Sequence, residues 1–422
     1  MPIPQPSLAA EFTRTRAATV SLCEPLEIED FGLQSMPEAS PAKWHLAHTS
    51  WFFEEFLLRG HDRAWAPFHP AFRDLFNSYY QSVGSPFARA DRGKLSRPTV
   101  AEVLQYRAHV DEAVAGLLER QHADDPAAAN ATAILALGMA HEEQHQELLL
   151  TDLKHAFALN PLRPVYRPHD GTVTCAARSA VFHPIAGGLV SIGHGDSHFA
   201  FDNETPRHRC FIEPFQLADR LVTLADYRGF VRDGGYRQPG WWLAEGWDLV
   251  QREGWTRPLY WSPEGDSEFT LGGERALEDS TPVSHLSYYE ADAFARWAGA
   301  RLPTEQEWEV AAAMLPVEGH CLESKRWHPS PANAEPLTSP PRVQQLFGDL
   351  WEWTRSAYSP YPGYRPPAGP IGEYNGKFMS GQMVLRGGSC ATPGAALRAT
   401  YRNFFPPSAR WQFSGLRLAK DA

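Results

Sequence analysis

Cysteine is scarce and scattered in this chain: Cys23, Cys175, Cys210, Cys321 and Cys390 are all there is, and no two form a CxxC pair. An odd number at irregular spacing excludes a disulfide framework and a zinc–thiolate cluster, and fits a reducing compartment. Long apolar runs are missing as well. No window reaches the ~18 apolar residues that a membrane span requires. The stretch MPIPQPSLAAEFTRTRAAT has no basic segment leading into an apolar one, so the chain is expected to be soluble, unexported and cytoplasmic. Positive charge is in deficit, with 39 Lys and Arg against 50 Asp and Glu and a net charge of -11. No run of five basic residues relieves that balance, which argues against nucleic acid and anionic membranes as partners and favours a small-molecule substrate.

What the chain does have is length. At 422 residues and 43% hydrophobic content it exceeds one ordinary core, so two domains are expected, over 1–160 and 161–422. The first reads as helices. Ser40 is placed as an N-cap with Pro41 at the first helical position, opening WHLAHTSWFFEEFLLR to Arg59. Thr99-Val100-Ala101-Glu102 is a capping-box pattern, and the helix that it opens presents Val103, Val110, Val114, Leu117 and Leu118 at helical spacing. A further helix from about Pro126 to Asn160 and one near residues 7 to 23 complete a four-helix bundle. The tract from Pro161 to Ala180, with three prolines, reads as a linker. Beyond it short β-type runs alternate with Gly and Pro, Trp is frequent, and the spacing predicts helices over Thr223 to Asp233 and Ser287 to Ala298.

His141-Glu142-Glu143-Gln144-His145 puts two imidazoles at i and i+4 on one helical face, about 6 Å apart, a separation that one metal ion bridges. That face continues through Ile134, Leu137 and Gly138 and on to Leu148 and Asp152, so the histidines belong to the inward stripe. An imidazole there must be hydrogen-bonded or metal-bound to avoid a desolvation cost. The helix with His45 and His48 supplies a third ring, and spacing alone leaves both as candidates. Three histidines without an obligatory carboxylate suit iron(II) or zinc. The same letters satisfy HExxH, so a zinc protease is the first rival; no third ligand stands downstream at protease spacing.

These residues lie in a chain that resembles the hercynine oxygenases, the sulfoxide synthases of ergothioneine biosynthesis. The stretches that carry the resemblance are SMPEASPAKWHLAHTSWFFE, FNSYYQSVG, HEEQHQELLLTD, RLPTEQEWE, GDLWEWT, EYNGKFM, VLRGGSCATP and ATYRNFFPPSARWQFSGLRLA, spread over nearly the whole length. The resemblance implies an α+β chain: a DinB-like four-helix bundle carrying an iron site, and a formylglycine-generating-enzyme-like (C-type-lectin-like) domain completing the substrate pocket. It selects His48, with His141 and His145, and implies Fe(II) as cofactor. The implied reaction joins hercynine (trimethylhistidine) to a cysteine-type donor with dioxygen, forming a C–S bond and a sulfoxide.

The resemblance also implies roles for other residues. Tyr79 and Tyr80 look like the tyrosine pair of the subgroup that uses free cysteine, placed to give a proton or hydrogen bond to reduced oxygen; by themselves they read as core aromatics, and the resemblance reverses that reading. Asn403, Phe404 and Phe405 are similar to the segment that faces the trimethylammonium group, which aromatic faces hold because it accepts no hydrogen bond. Flanked by Arg402 and Pro406-Pro407, they are expected on a shaped loop. Gln144 would address the imidazole, and Arg89 the donor carboxylate. Glu38 stands where the free-cysteine subgroup has aspartate, and that departure leaves the donor open, because the sister selenoneine synthases share these motifs and take a selenosugar. The second domain has only Cys390 where formylglycine formation needs a close cysteine pair, so Gly348-Asp349-Leu350-Trp351-Glu352-Trp353 and Arg386-Gly387-Gly388-Ser389 read as turns and packing. A zinc-dependent DinB-like hydrolase or thiol transferase and a non-catalytic binding module are the remaining classes.

Overall fold

The computed structural model describes residues 7–120, 126–168, 175–334 and 342–422; the first residues of the N-terminal stretch and part of the expected linker lie outside them. The chain divides into two compact units, one of residues 1–160 with 366–374 and one of 161–365 with 375–422.

In the first unit α1 (Leu8–Ser21) starts where Ser7 Oγ accepts from Ala10 N, 3.3 Å away. The second helix, α2 (Ala42–Phe52), begins without a side-chain cap. Ser40 was expected to supply one, but its N–H donates to Asp152 Oδ2 at 2.8 Å and its hydroxyl accepts from Arg92 Nη1 at 2.8 Å. Tertiary partners thus took both groups. The rod continues with wider i→i+5 winding over Phe53–Leu58 and a last turn at Arg59–His61. At the start of that winding Phe53 reaches α4 (Pro126–Leu159), where Gly138 makes room for it: a Cβ on Gly138 would lie 2.3 Å from the Phe53 ring. Between them in sequence, α3 (Val100–Arg120) opens on the expected capping box, with Glu102 N donating to Thr99 Oγ1 (3.2 Å) and Thr99 N to the Glu102 carboxylate (2.7 Å). Val103, Val110, Val114 and Leu117 are buried as the spacing required, and Leu118 only in part. Each fully buried large apolar side chain contributes about 1.5–3 kcal/mol, and Leu46, Trp51, Phe52, Phe53, Leu135 and Leu150 all reach full burial between the four helices.

Two non-helical pieces complete this unit. Residues 76–84 fold around Asn77, whose Oδ1 accepts from Tyr80 N (2.9 Å) while its amide donates to the carbonyls of Tyr80 (2.9 Å) and Gly84 (3.3 Å). Pro366–Tyr374 is a return segment containing a 3₁₀ turn at Pro370–Glu373.

The second unit holds a four-stranded sheet in the order Ser414–Gly415, Trp351–Ala357, Met383–Arg386, Asn403–Phe405, and a three-stranded sheet of Phe182–Ile185, Phe215–Ala218 and Ala419–Asp421. Its helices start on reciprocal caps at α5 (Leu224–Arg232, Thr223 with Asp226), α7 (Tyr288–Trp297, Ser287 with Glu290) and α8 (Glu305–Ala312, Thr304 with Glu307). Neither α8 nor α6 (Ala244–Glu253) was expected. The first is only eight residues long, and the second has no side-chain cap at its start. Asn403–Phe405 forms an edge strand, Phe404 paired with Val384, where a loop was expected. Arg402 does not shape a loop but is buried in an ion pair with Glu305 (2.8 Å), and Pro406 is tolerated because it follows an edge strand. Gly387 (φ +100) does pack as a tight turn, since a Cβ there would meet the Leu346 carbonyl at 2.5 Å. Tyr364 and Asn375 both bond Asp202. Among the described residues no helix is long and apolar enough to cross a membrane.

Candidate metal centre

Helices α2 and α4 bring His48, His141 and His145 together, one nitrogen of each lying within 4.8 Å of the others. The ring centroids are 5.0 Å (His48 to His141), 4.8 Å (His48 to His145) and 4.6 Å (His141 to His145) apart. All three rings are buried. Burial pulls their pKa values down, His141 to about 3 and His48 and His145 well below the ordinary value, with neighbouring histidines adding to the fall at His48 and His145. Neutral imidazoles carry a lone pair, which is what a metal ligand needs.

Hydrogen bonds fix which nitrogen offers it. His48 Nδ1 donates to the Phe76 carbonyl at 2.6 Å, so its lone pair is on Nε2. The same ring is held flat by Trp44 (4.4 Å, 15°) and Trp51 (5.4 Å, 17°). His45, the competing candidate, lies outside the triad and orients it. Its Nε2 donates to Asp152 Oδ2 (3.1 Å), leaving its Nδ1 to accept from His145 Nδ1–H (2.8 Å) and directing His145 Nε2 inward. His141 Nδ1 is a buried nitrogen with no hydrogen-bond partner. Three neutral rings, two with assigned tautomers and one with an orphaned polar atom, are a donor set that fits a divalent metal. Replacing His45 with phenylalanine keeps the ring volume but strands the His145 Nδ1–H. Metal affinity is expected to fall about 10–100-fold, measured by competition with a chelator in the absence of air; unchanged affinity would contradict the orienting role.

Glu142, the second letter of the HExxH pattern, serves another purpose. Its carboxylate accepts from Arg16 Nη1 (2.8 Å), from Thr19 Oγ1 (2.6 Å) and from Arg107. Burial alone would raise this carboxyl, but Arg107 and Arg16 overcome it and hold the group at about 2. A carboxylate spent on two guanidiniums is a poor water-activating base, and the protease pattern here is a coincidence of letters.

Tyr80 is fully buried, against Trp51 (5.6 Å) and Phe56 (5.0 Å), and stacks on the half-buried Tyr79 with hydroxyls 3.5 Å apart. Burial pushes its phenol well above 10, with Tyr79 adding to the rise, so it holds its proton. Half-buried Gln144 accepts at Oε1 from Tyr374 OH, 2.5 Å away. The Tyr374 ring is 5.7 Å from that of His141. No role was read for Tyr374 in EYNGKFM; the motif lies more than two hundred residues beyond HEEQH, and only folding joins them. Arg89 is exposed, its carbonyl accepting from Gln34 (2.8 Å), while Arg92 is the buried guanidinium, 3.4 Å over the Trp44 ring. Glu38 is exposed in the loop before α2. In the second unit Asn403 Oδ1 accepts from Phe404 N (2.8 Å), Phe404 stacks on Tyr358 (4.0 Å, 9°), and Phe405 lies edge-on to Trp411 (6.3 Å).

Comparison with known proteins agrees with this architecture. Residues 11–149 match the DinB superfamily, and residues 175–422 match the sulfatase-modifying factor enzyme 1-like domain. The chain is an α+β protein: a DinB-like helical bundle followed by a formylglycine-generating-enzyme-like domain. It is 33% identical over 433 residues to the hercynine oxygenase of Mycobacterium tuberculosis, covering 98% of each chain. Against the hercynine oxygenase of Mycolicibacterium smegmatis it is 33% identical over 447 residues, covering 99% of this chain and 100% of the relative. The formylglycine-generating enzyme of Streptomyces coelicolor is 27% identical over 278 residues, 52% of this chain and 82% of its own. The chain belongs to the hercynine oxygenase family, which makes it an oxidoreductase.

Proposed function

We propose that this protein is a non-haem iron(II) enzyme that couples hercynine to a cysteine-type donor using dioxygen. The observation that carries the reading is the convergence of three buried, neutral imidazoles, with His48 and His145 presenting Nε2 toward a shared point. Iron bound there would supply oxygen activation and positions for both substrates, which no side chain can. The net reaction breaks the imidazole C–H and the donor S–H, forms C–S and S–O bonds, and sends the second oxygen atom and both hydrogens to water.

The chain's own residues direct that outcome. Tyr80 carries a proton that burial keeps on the phenol, and Tyr79 lies beside it to share the hydrogen bond. Gln144, whose Oε1 accepts from Tyr374 OH, is assigned to the hercynine imidazole. Asn403, Phe404 and Phe405 are assigned to the trimethylammonium group, with Arg89 and Glu38 assigned to the donor's carboxylate and amine. Glu142's engagement with Arg16 and Arg107 disfavours a zinc hydrolase.

The test is to load the protein with iron anaerobically, offer hercynine with cysteine, γ-glutamylcysteine or a selenosugar, admit air, and identify the product by mass. A hercynine–cysteine sulfoxide is expected. A hercynine–selenosugar adduct would move the protein to the selenoneine synthases, and no consumption of hercynine with any donor overturns the reading. In the same assay Tyr80→Phe should keep its metal and lose sulfoxide on the order of 10²-fold in favour of oxidised cysteine; an unchanged sulfoxide yield would refute the proton-donor role.

A further inference from the structure

Glu373 has no part in the mechanism above, yet its carboxylate is fully engaged. Oε2 accepts from Gln81 N (3.1 Å), and Oε1 accepts from Ser82 N (3.0 Å) and Ser82 Oγ (2.5 Å). Gln81 and Ser82 follow Tyr80 directly, in the loop folded around Asn77. The residue after Glu373 is Tyr374, buried, hydroxyl-bonded to Gln144 and edge-on to Phe52 (6.4 Å) and His141 (5.7 Å). The turn that delivers this dipeptide tolerates little change. Gly369 sits at φ +76, and a Cβ on Gly372 would lie 2.2 Å from the Pro367 carbonyl. One carboxylate therefore joins two pieces of chain almost three hundred residues apart, one bearing Tyr374 beside His141 and the other bearing Tyr80 against Trp51.

We propose that Glu373 is a positioning residue: it clamps the return segment Pro366–Tyr374 to the loop carrying Tyr79 and Tyr80, setting the Tyr374 hydroxyl on Gln144. Its catalytic consequence rests on the function proposed above; the clamp itself does not. The mechanism is geometric, since a displacement of about 1 Å in a reacting group costs up to 10²-fold. Three charge-assisted bonds are an adequate fastening for a segment with no regular structure beyond one 3₁₀ turn.

The experiment compares Glu373→Ala and Glu373→Gln with the wild type by hydrogen–deuterium exchange of the metal-free protein and by kinetics after iron loading. Peptides covering 366–374 and 78–84 should exchange faster in Glu373→Ala, those covering His141 and His145 at the wild-type rate, and iron affinity should be unchanged. Sulfoxide kcat should fall about tenfold to a hundredfold, with a smaller change in the hercynine KM. Glu373→Gln, which keeps one acceptor oxygen, should lie between. In a Tyr374→Phe background Glu373→Ala should cost far less than it does alone. Unchanged exchange in Glu373→Ala overturns the clamp, and fully additive losses overturn its action through Tyr374. Should the wild type consume no hercynine, the function fails while exchange still decides the clamp.

Discussion

His141→Ala is expected to yield a folded protein that neither retains iron nor forms sulfoxide. The ring contributes one of three nitrogens, and losing it should weaken metal binding by roughly two to three orders of magnitude, the share of one ligand in a typical protein–metal free energy. The fold has less at stake. His141 Nδ1 bonds nothing, so no buried partner is stranded by its removal. The cost is a cavity beside Phe52, whose ring centroid lies 4.5 Å away. Metal content by elemental analysis and the thermal midpoint separate the two effects. The variant should be nearly metal-free with a moderate loss in midpoint; a variant with wild-type iron content would remove His141 from the site.

Glu142→Ala should do the reverse, destabilising the protein far more than any triad substitution. The change leaves Arg16 and Arg107 buried, both under 4% exposed, without the carboxylate that they share, Arg16 keeping its pair with Asp111 (2.6 Å). Breaking a buried pair in this way typically costs about 3–5 kcal/mol. Acid offers a second route to the same loss. The Glu142 carboxyl sits at about 2 in the folded chain against an ordinary 4.5. A depressed pKa contributes stability that is complete above 4.5 and fades as pH falls from 4.5 toward 2. Urea midpoints should therefore drop in the variant at pH 7, and the gap between variant and wild type should narrow below pH 4.5. Loss of activity with an unchanged midpoint would instead make Glu142 a catalytic base and revive the hydrolase.

Much of the bundle was legible because its signals are local. The capping box at Thr99 and Glu102, the apolar stripe of α3 and the i, i+4 histidines each need only a few neighbouring letters. What was not legible depended on contacts distant in sequence. Ser40 looks like a cap until Asp152 and Arg92 claim its two polar groups. His45 and His48 are equivalent by spacing, and only the Phe76 carbonyl and Asp152 distinguish the ring within the triad from the one beside it. Resemblance selected His48, the ring that stands with His141 and His145, and the hydrogen bonds show what holds His45 to one side. Tyr374 was overlooked because nothing near it in the chain marks it as a neighbour of Gln144. The missed helix α8 is a different failure: its cap, Thr304 with Glu307, was in plain view within RLPTEQEWE, but eight residues give the helical period little room to show.

His48, His141 and His145 are expected to hold one metal and to leave room beside it. Anomalous scattering from an iron-loaded crystal at the iron absorption edge addresses this directly. A single peak is expected about 2.0–2.2 Å from one nitrogen of each of the three rings, the usual metal–imidazole range, with no fourth protein ligand. A peak elsewhere, or a site closed by a fourth side chain, would contradict it.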